Sequence, residues 1–74
     1  MKNSIHANNI ITNSMEDSMT LLTAKEVAEM LMVGKNRVYE LLNQNKIKGM
    51  KIGTNSWRIP KASVYQYIRE ETNL

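Results

Sequence analysis

The stretch GKNRVYELLNQN, residues 34–45, has the residue spacing of a short amphipathic helix. Its apolar side chains follow at positions i, i+3 and i+4 and therefore share one helix face: Val38, Leu41 and Leu42. The opposite face carries polar side chains: Asn36, Glu40 and Asn43. Such a face suits hydrogen bonding to base edges in a DNA major groove, and it equally suits an ordinary solvated helix. The rest of the chain has to distinguish these two interpretations.

A preceding helix is predicted to begin at Thr23. The Thr23 hydroxyl can accept a hydrogen bond from the amide of Glu26, whose carboxylate can accept one from the amide of Thr23, which together form a capping box. The buried stripe of this helix is predicted at Ala24, Val27, Ala28 and Leu31. A tight turn over residues 32–34 follows, in which we expect Val33 to fill the space between the helices and Gly34 to cap the second helix.

A β-hairpin is predicted after the second helix, which Asn45 can close in the left-handed conformation. Apolar and basic residues alternate in two short runs, Met50–Ile52 and Trp57–Ile59, on either side of the turn Gly53–Ser56. Because the side chains of a strand alternate between its two faces, this pattern predicts a hairpin with one apolar face and one basic face.

Pro60 suits the first position of a third helix, which is predicted to run to about Glu70 with a buried edge of Val64, Tyr67 and Ile68. The order helix, turn, helix, hairpin, helix predicts an α+β, mostly helical fold: a small winged helix-turn-helix with three helices and a two-stranded β-hairpin wing. We expect this domain over residues 20–71, between a disordered N-terminal leader at 1–19 and a C-terminal tail at 72–74. Ile10 and Ile11 of the leader either dock on the domain or extend its sheet, which the sequence does not decide.

Positive charge is concentrated in one part of the chain. The formal net charge is only +3, but residues 34–61 hold seven basic side chains against the single acid Glu40. These basic residues are Lys35, Arg37, Lys46, Lys48, Lys51, Arg58 and Lys61. Such an asymmetry is typical of a polyanion binder and is also compatible with a solvated surface. It favours an anionic membrane less, because no amphipathic apolar face accompanies the charge.

Other classes of protein find little support in the residues. No cysteine is present and the single histidine, His6, has no partner ligand, so we expect no metal, no cofactor and no small-molecule ligand. No paired carboxylates and no nucleophile–base pair can be proposed, so we expect no enzyme. Neither a signal peptide nor an apolar run of membrane length is visible, and we expect a soluble, cytoplasmic protein without a membrane partner.

Three local motifs carry a family resemblance. They are the Leu-Thr start followed by Glu26-Val27-Ala28, then Val33 before Val38-Tyr39 and Leu41, and finally Ile52-Gly53 with Trp57-Arg58-Ile59-Pro60. On these residues, the stretch from Leu21 to Ile68 is similar to the excisionase-type helix-turn-helix family, which is related to the DNA-binding domain of MerR-like regulators. The chain departs from that family at Met32, where glycine is usual, and at Gly34, where serine is usual, and its wing turn is one residue longer.

The resemblance implies that the second helix enters the major groove of double-stranded DNA while the wing lies on an adjacent groove or on the backbone. The candidates for base contact are Lys35, Asn36, Arg37 and Glu40. Arg37 suits guanine, Asn36 suits adenine and Glu40 suits the amino group of cytosine, although Glu40 equally suits an ion pair with Arg37. The candidates for backbone or wing contact are Tyr39, Lys48, Lys51, Thr54, Asn55, Arg58 and Lys61. Tyr39 equally suits partial burial against the wing. We expect Trp57 in the core rather than as a base-stacking platform, because it shares a strand face with Ile59.

The resemblance also implies an excisionase, an accessory factor that bends attachment-site DNA for a tyrosine recombinase (integrase) of a phage or mobile element. Binding in several copies with cooperative self-association on DNA is expected with it, because a small monomer reads few base pairs. The end of the chain at Leu74 favours such a free-standing factor over a MerR-type ligand sensor. A small transcription regulator stays open as an alternative, as does a protein-interaction module that docks an acidic partner on the basic surface.

Overall fold

The structure, a computed structural model, describes residues 19–54 and 56–73. Residues 1–18, Asn55 and Leu74 lie outside the described residues, and so does the predicted role of Ile10 and Ile11. The described elements are, in chain order, β1 (Leu21–Leu22), α1 (Ala24–Leu31), α2 (Lys35–Asn43), β2 (Met50–Ile52), β3 (Ser56–Pro60) and α3 (Lys61–Thr72). Helices α1 and α2 are the helix-turn-helix pair, and strands β2 and β3 form the wing.

Helix α1 begins at the predicted capping box. The Glu26 amide donates to Oγ1 of Thr23 at 3.2 Å, and the Thr23 amide donates to Oε1 of Glu26 at 2.8 Å. The predicted stripe also faces the core, because Ala24, Val27 and Ala28 are buried and the half-buried Leu31 packs against them. Both predictions are confirmed. Local hydrogen bonding and a period of 3.6 residues are enough to define this helix.

The turn between the helices depends on Met32, which adopts the left-handed conformation with φ of 58°. The Met32 amide donates to the carbonyl of Glu29 at 3.3 Å and the Val33 amide to that of Ala28 at 3.0 Å, the hydrogen-bond pattern of a Schellman motif. The prediction that Val33 fills the space between the helices is wrong, since this residue is 40% exposed. Its amide is turned back towards α1, and the buried cluster contains Val27 and Val38 instead.

Helix α2 starts after Gly34, whose extended backbone caps the helix without a side-chain hydrogen bond. Its buried face is the predicted one: Val38, Leu41 and Leu42. Asn45 closes the helix with φ of 59°, and the Lys46 amide donates to the Leu41 carbonyl at 2.9 Å in a second Schellman motif. This reversal directs Ile47 into the core, where it is 1% exposed. The sequence pattern gave no signal for Ile47, a single apolar residue between two lysines.

Among the described residues the sheet has three antiparallel strands in the order β1-β3-β2, one more than the predicted hairpin. Strand β1 is the missed element, and it pairs Leu22 with Ile59 and Leu21 with Pro60. Leu22 and Ile59 are both buried, so this pairing joins the start of the helix-turn-helix unit to the wing through the core. A two-residue strand is too short to produce a readable alternation of apolar and polar residues.

The prediction of one apolar and one basic hairpin face is wrong. Residues directly opposite each other on antiparallel strands share a face, and the register pairs Met50 with Arg58 and Lys51 with Trp57. Lys51 therefore shares a face with Trp57 and Ile59, whereas Arg58 shares the outer face with the exposed Met50 and Ile52. Apolar and basic residues alternate along each strand as predicted. The register between the strands nevertheless places apolar and basic residues together on both faces, because a shift of one residue exchanges the faces of a whole strand.

Helix α3 runs two residues beyond the predicted end at Glu70, and Pro60 is its N-cap rather than its first residue. Its buried edge is confirmed, with Val64 fully buried and Tyr67 and Ile68 packed against the core. Together the elements form the predicted α+β winged helix-turn-helix. Within the described residues, no helix combines the length and the apolar character that crossing a membrane requires.

Candidate nucleic-acid interface

The first turn of α2 presents three of the predicted base-contacting residues to solvent. Lys35, Asn36 and Arg37 are all exposed. They are held there because the apolar face of the same helix is locked into the core by fully buried side chains, which fixes the rotation of α2 about its axis. Residues at the start of a recognition helix are the ones that reach base edges when the helix enters a major groove.

Glu40, the fourth predicted base-contacting residue, lies one turn further along and is engaged by Arg37. Nη1 of Arg37 donates to Oε1 of Glu40 at 3.0 Å. The two side chains are 54% and 58% exposed, so the pair sits on the open surface of the helix and not in a pocket. Of the two roles that the sequence left open for Glu40, the ion pair is the one formed in this structure.

A cleft of about 370 Å³ separates α2, the candidate recognition helix, from the wing. Tyr39 and Asn43 of α2 line one side, and Lys51 and Trp57 of the hairpin line the other. Both polar and cationic groups therefore converge on one concave surface between the two parts of the molecule expected to contact DNA. Hydroxyl, amide and ammonium groups are common donors to phosphate oxygens in protein–DNA complexes.

Lys51 lies beside Trp57 in this cleft. The Nζ atom of Lys51 lies 6.0 Å from the centroid of the Trp57 ring, which is the outer limit of a cation–π contact. Trp57 itself is half-buried and packs against the core, in line with the expectation that it is a core residue. It also lines the cleft, so its indole is shared between the core and the candidate interface.

Arg58 lies on the opposite face of β3 from this cleft, although it was predicted to act with Lys51 on the wing. It is half-buried, and its Nη1 donates to the carbonyl of Trp57 at 2.9 Å. The Thr23 backbone and side-chain hydrogen bonds hold the pKa of Glu26 below its ordinary value of 4.5, and the charge of Arg58 also lowers this pKa. The hydrogen bond to the Trp57 carbonyl holds the Arg58 guanidinium against its own strand.

The other predicted wing residues are more dispersed. Lys48 and Thr54 are exposed, and Asn55 lies outside the described residues. Lys48 borders a second, largely apolar hollow with Met50, Pro60 and Ser63, away from the cleft beside α2. The backbone amide of the half-buried Lys61 donates to the Thr20 carbonyl at 2.9 Å. Contact between these residues and DNA stays a prediction.

Sequence reasoning omitted two residues from the candidate site, Asn43 and Trp57. Asn43 follows Tyr39 by four positions and Glu40 by three, so helical geometry places it on the same polar stripe. That signal was present in the sequence. Trp57 carried no comparable signal, because its place beside Lys51 depends on the register between β2 and β3.

A recognition helix with an exposed polar face, next to a basic wing, defines a DNA-binding protein of the helix-turn-helix class. The chain matches the helix-turn-helix domain family over residues 21–72 and belongs to that family. Sequence-specific DNA binding is the function that this membership supports. Neither a curated protein nor a solved structure matches the chain.

Proposed function

We propose that this protein is an excisionase, a non-catalytic cytoplasmic factor that binds and bends attachment-site DNA for a tyrosine recombinase of a phage or mobile element. The support beyond the family match is the resemblance of the Trp57–Pro60 string and the helix-turn-helix residues to excisionases. The proposal makes two separate claims, that the domain binds DNA and that it acts as an excisionase. Each claim has its own experimental test.

The observation that carries DNA recognition is the arrangement of α2 and the wing around one cleft. The first turn of α2 supplies exposed groups for base edges, and Lys51 and Tyr39 supply donors for the adjacent backbone. A helix in the major groove and a hairpin beside it contact the duplex at two places on one side, and such additional contacts can repay the energy of bending DNA. Bending is the property that an accessory factor of recombination needs.

Arg37 is the residue whose removal tests base reading most directly. We expect Arg37→Ala to weaken binding to the cognate site by about 1–3 kcal/mol and to relax preference at one base pair. Competition binding with single-base-pair variants of the site measures both effects. An equal loss of affinity on cognate and random DNA would assign Arg37 to phosphate contact.

The excisionase role is tested on the element's own attachment sites. We expect tighter binding to these sites than to random duplex, occupancy by several copies in footprinting, and a bend detected by circular permutation of the site. Addition of the purified protein to the recombinase should stimulate excision in a reconstituted reaction. Selective binding without any effect on excision would instead favour a small transcription regulator, and absence of DNA affinity at low salt would refute the whole proposal.

A further inference from the structure

We propose that Glu40 is a positioning residue that holds Arg37 in the conformation needed to read one base pair, and that it reads no base itself. This inference rests on the proposed sequence-specific DNA binding. It assigns the selectivity at one position of the DNA site to a pair of side chains rather than to Arg37 alone.

The geometry of the pair allows Arg37 to contact Glu40 and a base at the same time. A guanidinium carries five N–H donors in a planar fork, and the hydrogen bond at 3.0 Å to Oε1 of Glu40 is made through Nη1. A bidentate contact to O6 and N7 of guanine uses two donors, which leaves the contact to Glu40 intact. A side chain held in this way loses less rotamer freedom on binding than a free arginine.

The charge of the pair explains why the carboxylate improves selectivity. Glu40 is the single acid among seven basic residues in residues 34–61, so it repels the DNA backbone whatever the base sequence. Its main effect is on Arg37: a free guanidinium on an exposed helix can turn to any nearby phosphate, which is a sequence-independent contact. While Arg37 is bound to Glu40, its contact with phosphates is weakened on DNA of any sequence. Selectivity gained by disfavouring the wrong complexes is a general route to specific recognition.

Exposure places the pair where this mechanism can operate. Arg37 and Glu40 are 54% and 58% exposed. Glu40 follows Asn36 by four positions, so the pair lies on the exposed side of α2 that also carries Asn36. A surface ion pair of this kind contributes little to folding stability, so its replacement should leave the domain folded. Effects of Glu40 variants on DNA selectivity therefore report on recognition rather than on the fold.

The test is a double-mutant cycle on DNA selectivity. The variants Arg37→Ala, Glu40→Ala and the double variant are titrated against the cognate duplex, its single-base-pair variants and a random duplex. We expect Glu40→Ala to bind random duplex more tightly than the unmodified protein does. We also expect it to lose selectivity at the base pair that Arg37 reads, where a bidentate contact discriminates between bases by about 5- to 140-fold. In the Arg37→Ala background, Glu40→Ala should change no base preference.

Two further variants separate the effect of the hydrogen bond that positions Arg37 from the effect of the negative charge of Glu40. Glu40→Gln keeps an oxygen that accepts the hydrogen bond, so we expect it to retain more selectivity than Glu40→Ala. Glu71→Gln makes the same charge change on α3 and should leave selectivity as in the unmodified protein. In the absence of DNA, NMR relaxation of the Arg37 Nε–H group should show faster motion in Glu40→Ala than in the unmodified protein.

Contrary results are distinguishable from failure of the proposed function. Loss of preference at a second base pair in Glu40→Ala, with or without Arg37, would show that Glu40 reads a base and would overturn the proposal. Unchanged selectivity in Glu40→Ala, or unchanged motion of the Arg37 side chain, would show an inert ion pair and overturn it as well. An unmodified protein that binds all duplexes equally would refute sequence-specific recognition itself.

Discussion

Lys51 and Trp57 face each other directly across the wing, with the Lys51 ammonium 6.0 Å from the centre of the indole ring. The contact holds a positive charge at the cleft beside Tyr39 and Asn43 of the recognition helix. A cation–π contact at an exposed site contributes about 0.5–1 kcal/mol, so it can orient the ammonium without preventing its transfer to a phosphate.

Replacement of Lys51 by alanine should lower affinity by a similar factor on every DNA sequence, because a phosphate contact carries no base information. The slope of log K against log salt concentration should become less steep by about 1, as one fewer phosphate is neutralised. Lys25→Ala, an exposed lysine of α1, is the matched control and should leave the slope unchanged. An unchanged slope in Lys51→Ala would contradict a backbone contact by the wing.

The same pair offers an optical readout, because Trp57 is the single tryptophan of the chain. DNA that draws the Lys51 ammonium away from the indole should change the emission of Trp57 on titration. In Lys51→Ala the change should be smaller than in the unmodified protein. An identical change in both proteins would mean that the emission reports a different contact.

Met32→Gly should stabilise the domain. A non-glycine residue in the left-handed conformation costs about 1 kcal/mol, Met32 has φ of 58°, and its side chain is 90% exposed and so loses little packing. We expect a gain of about 1 kcal/mol in the free energy of unfolding, or about 4–8 °C in Tm. Val33→Gly, one position later and outside the left-handed region, is the control and should be destabilising. A loss of stability in Met32→Gly would indicate a packing role for the methionine.

Gly49→Ala should destabilise the domain by about 1–3 kcal/mol, the usual cost of overpacking. A Cβ at this position would lie 3.0 Å from Cδ2 of Leu42, 3.1 Å from Cγ1 of Ile59 and 3.2 Å from the Arg58 carbonyl oxygen. Gly34→Ala is the control for steric contact, because a Cβ at Gly34 meets nothing within 4 Å, and its own cost is that of replacing the glycine N-cap of α2 by alanine. Chemical denaturation of both variants measures the difference, and equal stability would show that the backbone at Gly49 yields easily.

Acid should weaken the start of α1 through Glu26. Its pKa is below 4.5 in the folded protein because the Thr23 amide and hydroxyl donate to the carboxylate. A group whose pKa is lower in the folded than in the unfolded state contributes stability above the unfolded value, and this contribution is lost as pH falls through the folded value. Glu26→Gln should therefore show a shallower loss of stability below pH 4.5 than the unmodified protein. Parallel pH profiles would mean that the capping carboxylate is not thermodynamically coupled to folding.

The parts of the fold that sequence reasoning predicts correctly are those determined by neighbours along the chain. The capping box of Thr23 and Glu26 needs residues three positions apart, and the buried faces of α1 and α2 need only helical periodicity. The left-handed Asn45 is equally local. The structure of these elements is determined by residues that lie within one or two helical turns of each other along the chain.

The errors arise where distant residues decide the outcome. Lys51 and Arg58 each alternate with apolar neighbours, but only the register between β2 and β3 determines which of them faces the recognition helix. The burial of Ile47 depends on the reversal at Asn45 followed by packing between elements. Strand β1 exists because β3 provides a partner from the other end of the domain. At the site, the sequence identifies the polar face of α2 and offers the pairing of Arg37 with Glu40 as one of two roles. The cleft, and the choice between those two roles, require coordinates.

The pairing of β1 with β3 has a consequence for the order in which the molecule assembles. The α1–α2 unit and the β2–β3 hairpin can each form from contacts between near neighbours, within microseconds for elements of this size. Joining Leu22 to Ile59 requires closure of a loop that contains the whole helix-turn-helix unit, and this entropic cost delays the step. We therefore expect the contacts within the helix-turn-helix unit and within the hairpin to form earlier during folding than the contact that fixes the recognition helix relative to the wing. A nascent chain would acquire its capacity to read DNA late, at the moment when its shortest strand docks.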